Sequence, residues 1–445
     1  MKCFISIIVL AVLLCSCQEQ FLDKKPQQSL LVPRTVSDYQ ALLDNANSLM
    51  NVAPFLPLAA DGDFRVSETG WNNLAQPVRS TYLWSDEIAG QLSDWDIPYK
   101  QIFTCNVVLE GLESLSEENQ SPAYRNLKGS ALFFRALAFY NLAQQFAAPY
   151  DQARATALAG IPLPLSSDIN LLMPRASLET TYAQILADLA AARPLLDQTP
   201  QLLTRPSQVA VCALLARIYL SMQDYSNASG QASLALAEKK TLLDYNTLQT
   251  GSSLPFPVTL NVPNPEVIFY LRANNTFLAN QAVFADSALV ARYDDQDLRK
   301  QLFFTGQLQF KGSYTGTIYP FQGLSTDELY LIRVECLARS GQLAAAVQLL
   351  DELLQTRWVK GAFLPHSAGS QEQVLSLILS ERRKQLVGRG LRWSDLRRLN
   401  QDPQFAQTLK RTFSSQVYTL KPGDKRYLFR IPLDEIATHD MAQNP

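Results

Sequence analysis

The sequence predicts a mainly α fold: an array of helix hairpins, interrupted by irregular, loop-rich parts that hold short strands. Three observations lead there. Apolar residues recur at helical spacing over about 92–240 and again over about 325–400. Turn and capping signals divide those stretches into helices that fold back on one another. Between them, about 52–91 and 241–320 lose the helical period and gather Pro, Gly, Asn, Asp and aromatic residues. With 445 residues, 47% of them apolar, the chain has enough apolar side chains for a large core, and 18% charged residues at net charge -2 mark an ordinary globular protein.

Residues 1–16 read as a leader. The apolar run Phe4–Leu14 follows Lys2 and is too short for a bilayer core of ~30 Å, which takes ~20 helical residues. Leu14-Cys15-Ser16-Cys17 has the pattern of a bacterial lipobox, so cleavage leaves Cys17 as the first residue of the mature chain, carrying lipid on its sulfur and its amine. Several acyl chains at ~0.8 kcal/mol per buried CH2 make a stable anchor. An ordinary secretory signal with incidental cysteines is the alternative. The remaining Cys105, Cys212 and Cys336 are odd in number and lie on apolar helical faces, so they are expected as buried thiols and not as a disulfide framework. Residues 17–445 read as a single domain.

Within that domain, Ser37-Asp38 is expected to cap a helix that carries Tyr39, Leu42 and Leu43 on one face. A loop region as long as 52–91 is unusual in a compact domain unless it has a job. From Leu92 helices follow for about 150 residues: one around Trp95–Asn106, its partner Tyr124–Phe146, then Thr180–Leu196 after the connector Ile161-Pro162-Leu163-Pro164. Ala216, Tyr219, Tyr225, Ala228 and Ala235 fall at the offsets that tetratricopeptide units use between their two helices, although any antiparallel helix array admits the same spacing. In 241–320, Pro255–Pro257, Val267–Leu271, Gln307–Phe310 and Thr317–Tyr319 read as short strands or loops. Ser325-Thr326-Asp327-Glu328 reads as a capping box that opens a helix, Gly341 as its left-handed stop, and Leu343, Ala346, Leu350 and Leu354 as the returning helix. A third helix is expected at about Gln371–Val387.

The stretches DELYLIRVECLARSG (327–341) and ERRKQLVGRGLRWSDLRRLN (381–400) resemble the C-terminal motifs of the SusD/RagB family, nutrient-binding outer-membrane lipoproteins of Bacteroidetes-type bacteria. Phe21–Pro26 resembles the segment that follows the lipid anchor in SusD-like proteins. Asn264–Phe269, Tyr293 with Asp297 and Arg299, and the tail Arg426–Ile436 with Gln443-Asn444-Pro445 supply further landmarks in the family's order. The resemblance implies a SusD-like helical scaffold, a SusC-like TonB-dependent outer-membrane transporter as partner, and a location on the extracellular side of the outer membrane. The acidic run often found after the lipid-bearing cysteine is reduced here to Gln18-Glu19, so the outward orientation is implied by the resemblance alone.

Nucleic acid is not an expected partner, because no basic block or aromatic–basic interleaving is present. No metal or cofactor is expected: the sequence has 2 histidines, His366 and His439, and no metal-ligand, phosphate-loop or nucleophile-elbow spacing. Asp61 and Asp63 lie too close along the chain to suggest the opposed carboxylates of glycoside hydrolysis, although a secreted hydrolase stays open as an alternative. A sugar presents apolar C–H faces and a rim of hydroxyls, so its site needs flat aromatics beside amides and charged donors. Trp71, Asn72, Asn73, Arg79, Tyr82 and Trp84 supply both in one irregular part, and Phe277, Asn280 and Gln281 are placed to face them from the other. Each of these aromatics also reads as a loop anchor in the core. Trp95 and Trp393 read as packing, and the arginines around Trp393 as partners for helix ends and carboxylates. The ligand is expected to be an oligosaccharide; the alternative is RagB-like peptide capture, which favours strand edges over stacked aromatics.

Overall fold

The computed structural model describes residues 33–87, 91–115 and 121–445. The leader, the lipobox at Leu14–Cys17 and the Phe21–Pro26 segment lie outside the described residues. Among the described residues the helical periodicity becomes ten longer helices: α1 (Val36–Leu43), α2 (Ser93–Glu113), α3 (Pro122–Phe146), α4 (Leu178–Ala192), α5 (Gln208–Ser221), α6 (Tyr225–Glu238), α7 (Thr326–Arg339), α8 (Leu343–Gln355), α9 (Gln371–Gln385) and α10 (Leu391–Leu399). Consecutive helices pack against one another, α2 on α3, α3 on α4 and α5 on α6; α6 then meets α7, which packs on α8 and α9. α3 is buried on nearly every side from Gly129 to Ala143, as expected of a helix apolar around most of its circumference and enclosed by α1, α2 and α4. Ala228 and Ala235 of α6 and Ala346 of α8 are fully buried, so small side chains line these helix contacts. Among the described residues no helix is long and apolar enough to cross a membrane.

Helix ends follow local chemistry except where a buried charge overrides it. Gly341, at φ +80°, stops α7, and the N–H groups of Gly341 and Gln342 return to the carbonyls of Ala338 and Leu337 at 3.1 and 2.9 Å. The cap of α1 is Thr35, whose hydroxyl accepts from the Asp38 N–H while Asp38 accepts from the Thr35 N–H, two residues before the expected Ser37. At Ser325 the expected capping box does not form. Its hydroxyl donates to Asp327 at 2.6 Å, and the Glu328 carboxylate turns away to Arg217. A buried guanidinium outweighs a local backbone cap worth ~1 kcal/mol.

The irregular parts contain more order than their sequence suggested. The described residues of 52–91 hold three helices of one or two turns, Leu56–Ala60, Glu68–Trp71 and Gln76–Tyr82, too short to show a period. Among the described residues ten strands pair two by two: β1 (Val52–Ala53), β2 (Phe64–Val66), β3 (Ala159–Pro162), β4 (Arg175–Ser177), β5 (Val267–Phe269), β6 (Arg272–Ala273), β7 (Val283–Ala285), β8 (Leu324–Ser325), β9 (Leu409–Phe413) and β10 (Gln416–Leu420). β1 runs parallel to β6 and β2 antiparallel to β7, so the two irregular parts are bound to each other. Of the expected strand stretches, Val267–Leu271 supplies β5, and Gln307–Phe310 contributes one bridge from Phe310 to Phe304.

Buried arginines join the helices to these parts. Arg135 of α3 grips Asp188 of α4 at 2.8 and 2.7 Å and reaches Asn106 of α2. Arg217 of α5 holds Glu328 of α7 through two hydrogen bonds of 2.7 and 2.6 Å. Arg398 and Asp395 of α10 meet Glu335 of α7 and Arg382 of α9, while Arg383 of α9 reaches back to Asp63. Arg389, in the turn before α10, pairs with Asp327 at 2.8 Å and lies 3.9 Å from the Tyr314 ring centroid. Arg357 pairs with Glu266 at 2.7 Å, and Gln385 and Tyr314 bridge the two pairs. The arginines around Trp393 thus serve carboxylates and carbonyls, and Trp393 itself is buried against Tyr427 and Phe429.

These pairs set an acid limit on the fold. Burial alone raises the Asp327 and Glu335 carboxyls, but the charges of Arg389 and Arg357 for the first, and of Arg398 and Arg339 for the second, outweigh it and hold each at about 2. A depressed carboxyl stabilises fully above its unfolded pKa, and the contribution is lost as pH falls through the folded value. Each group is therefore worth about 2 to 3 kcal/mol, lost between pH 4.5 and 2. Cys105, Cys212 and Cys336 are buried and unpaired, and burial pushes the Cys336 thiol up to about 12. Arg389→Ala strands the Asp327 carboxylate, so urea unfolding at pH 7 is expected to show a loss of about 3 to 5 kcal/mol. A loss under 1 kcal/mol contradicts the structural role of the pair.

Candidate ligand-binding site

The pairing of β2 with β7 brings the two predicted groups of residues to one junction. The Ser67 N–H donates to the Ala282 carbonyl at 2.9 Å, and Gly70 lies so close that a Cβ there sits 1.9 Å from the Ala282 Cβ. Only glycine allows this approach. The short helix Glu68–Trp71 therefore rests on the turn that contains Asn280 and Gln281. Trp71 ends that helix half-buried, its ring centroid 4.3 Å from Phe413 and 5.8 Å from Tyr82. Asn72 and Asn73 follow it into solvent, as does Gln281 on the opposite segment. Asn280 is half-buried, and its side-chain oxygen accepts from the Ala282 N–H at 2.9 Å, which fixes the turn. Trp71, Asn72, Asn73, Asn280 and Gln281 thus share one surface.

The other candidates sit elsewhere. Tyr82 is 2% exposed and its hydroxyl accepts from the Val66 N–H. Trp84 is 3% exposed and held at φ +52°, and its indole N–H donates to the Ala60 carbonyl at 3.0 Å. Phe277 is buried in the core, and Arg79 is half-buried on the helix Gln76–Tyr82. Arg411 fills the space between Tyr82 and Trp84, its guanidinium 4.0 and 4.5 Å from their ring centroids. Both rings thus have their partners inside the fold.

Arg411 and Phe413 belong to the hairpin β9–β10, which sequence reading missed. The signal was present, since Leu409–Phe413 and Gln416–Leu420 are two strand-like runs around a two-residue turn. That turn, Ser414-Ser415, holds φ +46° and +63°, where Asn-Gly is the usual choice. The Ser414 N–H donates to Glu68 at 2.9 Å, which ties the hairpin tip to the helix of Trp71.

The acidic pair is committed internally. The Asp63 N–H donates to Asp61, and Asp63 pairs with Arg383 at 2.7 Å; burial and then the Asp63 charge raise the Asp61 carboxyl well above the usual range. Two further clefts flank the scaffold. One, of about 50 Å³, lies beside Ser80, Trp84, Glu87 and Arg426 and is lined by more apolar than polar surface. The other, of about 230 Å³, runs along Trp95, Tyr99, Phe103 and Ile169 and is mainly apolar. Trp95 itself is buried against Tyr99 and Phe146, as packing. Among the described residues no group of three or more His, Cys, Asp or Glu is arranged to hold a metal ion.

With this geometry in hand, the relatives are informative. A family model described as starch-binding and associating with the outer membrane matches residues 20–220, and the SusD family model matches residues 326–445. SusD-like protein P2 of Formosa agariphila is 27% identical over 247 residues, 52% of this chain but only 45% of that relative, so the match spans less than half of its length. A SusD superfamily protein of Bacteroides thetaiotaomicron has the same fold at TM-score 0.75 and 20% identity, over 92% of this chain and 100% of its own. A SusD-like carbohydrate binding protein of Bacteroides vulgatus aligns at TM-score 0.70 and 20% identity, over 91% and 97% of the two chains. The mainly α scaffold, the matches at both ends of the sequence and the buried motif 381–400 agree, and the chain belongs to the SusD/RagB family.

Proposed function

We propose that this protein is a nutrient-binding lipoprotein of the outer membrane that captures an oligosaccharide at the junction of the two irregular parts and delivers it to a SusC-like TonB-dependent transporter. The observation that carries the reading is Trp71, a half-buried indole followed by the exposed Asn72 and Asn73, on a short helix that packs through Gly70 against Ala282, next to Asn280 and Gln281. A flat apolar ring with amides around it matches a sugar's C–H face and hydroxyl rim. The name of the Bacteroides vulgatus relative supports a carbohydrate as the ligand class. In this reading Cys17 carries the lipid, the protein faces outward, the helical array is the rigid body that moves against the transporter, and binding is not followed by chemistry.

A glycan array run beside a peptide panel on the wild-type protein tests the ligand class. Oligosaccharide binding is expected; binding to peptides alone transfers the reading to RagB-like peptide uptake, and release of reducing sugar makes the protein a hydrolase. Trp71→Ala is expected to weaken a captured oligosaccharide by about 0.5 to 1.5 kcal/mol, with thermal unfolding close to wild type. Trp84→Ala, by contrast, is expected to cost about 3 to 5 kcal/mol of stability, because it empties a buried site and orphans the Ala60 carbonyl. Unchanged affinity in folded Trp71→Ala protein removes the junction as the site. Cys17→Ala is expected to leave the membrane fraction in cells that lack the transporter, and retention there contradicts the lipid anchor.

A further inference from the structure

Ser376, Ser380 and Arg383 lie along one stripe of α9, since positions four and seven apart share a helix face. With Arg292, Arg392 and the segment 404–407 they line a groove of about 250 Å³, and no carboxylate is among its lining residues within the described part of the chain. The groove shares no lining residue with the junction at Trp71.

Its three guanidiniums are not equally paired. Arg383 has Asp63 at 2.7 Å. Arg392 is only 8% exposed, and its one hydrogen bond runs from Nη2 to the Gln407 side-chain oxygen at 2.6 Å. Its Nε has no partner. The nearest carboxylate along α10, Asp395, is already held by Arg382 and Arg398 at 2.8 and 2.9 Å. Among the described residues, no carboxylate lies within ion-pair distance of Arg392 or of the exposed Arg292. Asn400, whose oxygen accepts from the Gln407 N–H, leaves its side-chain NH2 without an acceptor as well.

Two unmet groups in this region, the Arg392 Nε–H and the Asn400 side-chain NH2, are therefore donors, and the charged residues that line the groove are all arginines. Burial, and then the neighbouring Arg383 charge, pull the Arg392 guanidinium below its usual range, while Asp63, Asp395 and Asp61 oppose the shift. A buried cation with no carboxylate in direct contact is costly, and a planar guanidinium offers paired N–H groups that match a carboxylate or sulfate.

We propose that this groove binds an oxyanion, a carboxylate or a sulfate, between Arg392 and Arg292, with the hydroxyls of Ser376 and Ser380 as further donors. The oxyanion is either a free inorganic ion or a substituent of an acidic sugar, and the same chemistry recognises both.

Titration calorimetry at constant ionic strength, with chloride exchanged for sulfate, tests the site. A uronate oligosaccharide and a neutral one of equal length serve as companion probes. Saturable sulfate binding is expected in wild type and a loss of tenfold or more in Arg392→Gln, with Trp71→Ala unchanged. Arg292→Gln, at an exposed position, gives the same test if Arg392→Gln fails to fold. Sulfate binding alone makes a free ion the source; tighter binding of the uronate chain, lost in the arginine variants, makes it a sugar substituent. No sulfate binding beyond chloride, or wild-type binding in both arginine variants, overturns the proposal. So does uronate binding that survives both and falls only with Trp71→Ala.

Discussion

A guanidinium cannot be deprotonated at working pH and cannot be left bare in an apolar interior, so each arginine buried here requires a carboxylate or carbonyl at a fixed place. Arg217, Arg299, Arg357, Arg389 and Arg398 each have that partner, and in most cases it lies on a different element. The consequence is mechanical. α7 receives Arg217 at its first turn and Arg398 midway, while the turn before α10 receives Asp327, so the C-terminal helices dock on the N-terminal array in one register. Apolar packing alone tolerates small slides of helix on helix; bidentate pairs do not.

The same constraint reaches the candidate site. Asp63 connects α9 to the loop before β2, β2 pairs with β7, and Arg411 supports Tyr82 and Trp84 below the junction. A surface built from one- and two-turn helices and three-residue strands has little stability of its own. Anchored to the arginine frame, Trp71 and the amides beside it have a fixed place, which in the proposed function limits the ordering cost of binding.

How much of this was legible in the sequence depended on range. The long helices, the Gly341 stop and the reading of Trp95 and Trp393 as packing follow from local periodicity and turn chemistry. The partners of the arginines do not, because Arg217 and Glu328 are 111 positions apart and Arg383 and Asp63 are 320 apart. That distance also explains Ser325, where a local capping pattern had been taken over by long-range pairing. Tyr82 and Trp84 read in the sequence as ligand contacts because an irregular stretch carries no period to reveal its buried face. The β9–β10 hairpin escaped notice because Ser-Ser occupies a turn that Asn-Gly normally marks.

The central claim is that a rigid helical frame presents Trp71 and the amides beside it to a sugar. A crystal structure of the protein with an oligosaccharide selected on the glycan array tests it most directly. The account predicts a sugar ring in contact with the indole of Trp71, with hydroxyls hydrogen-bonded to Asn72, Asn73 or Gln281 and the helices unmoved. Sugar bound at another face, with the Trp71 junction empty, contradicts it.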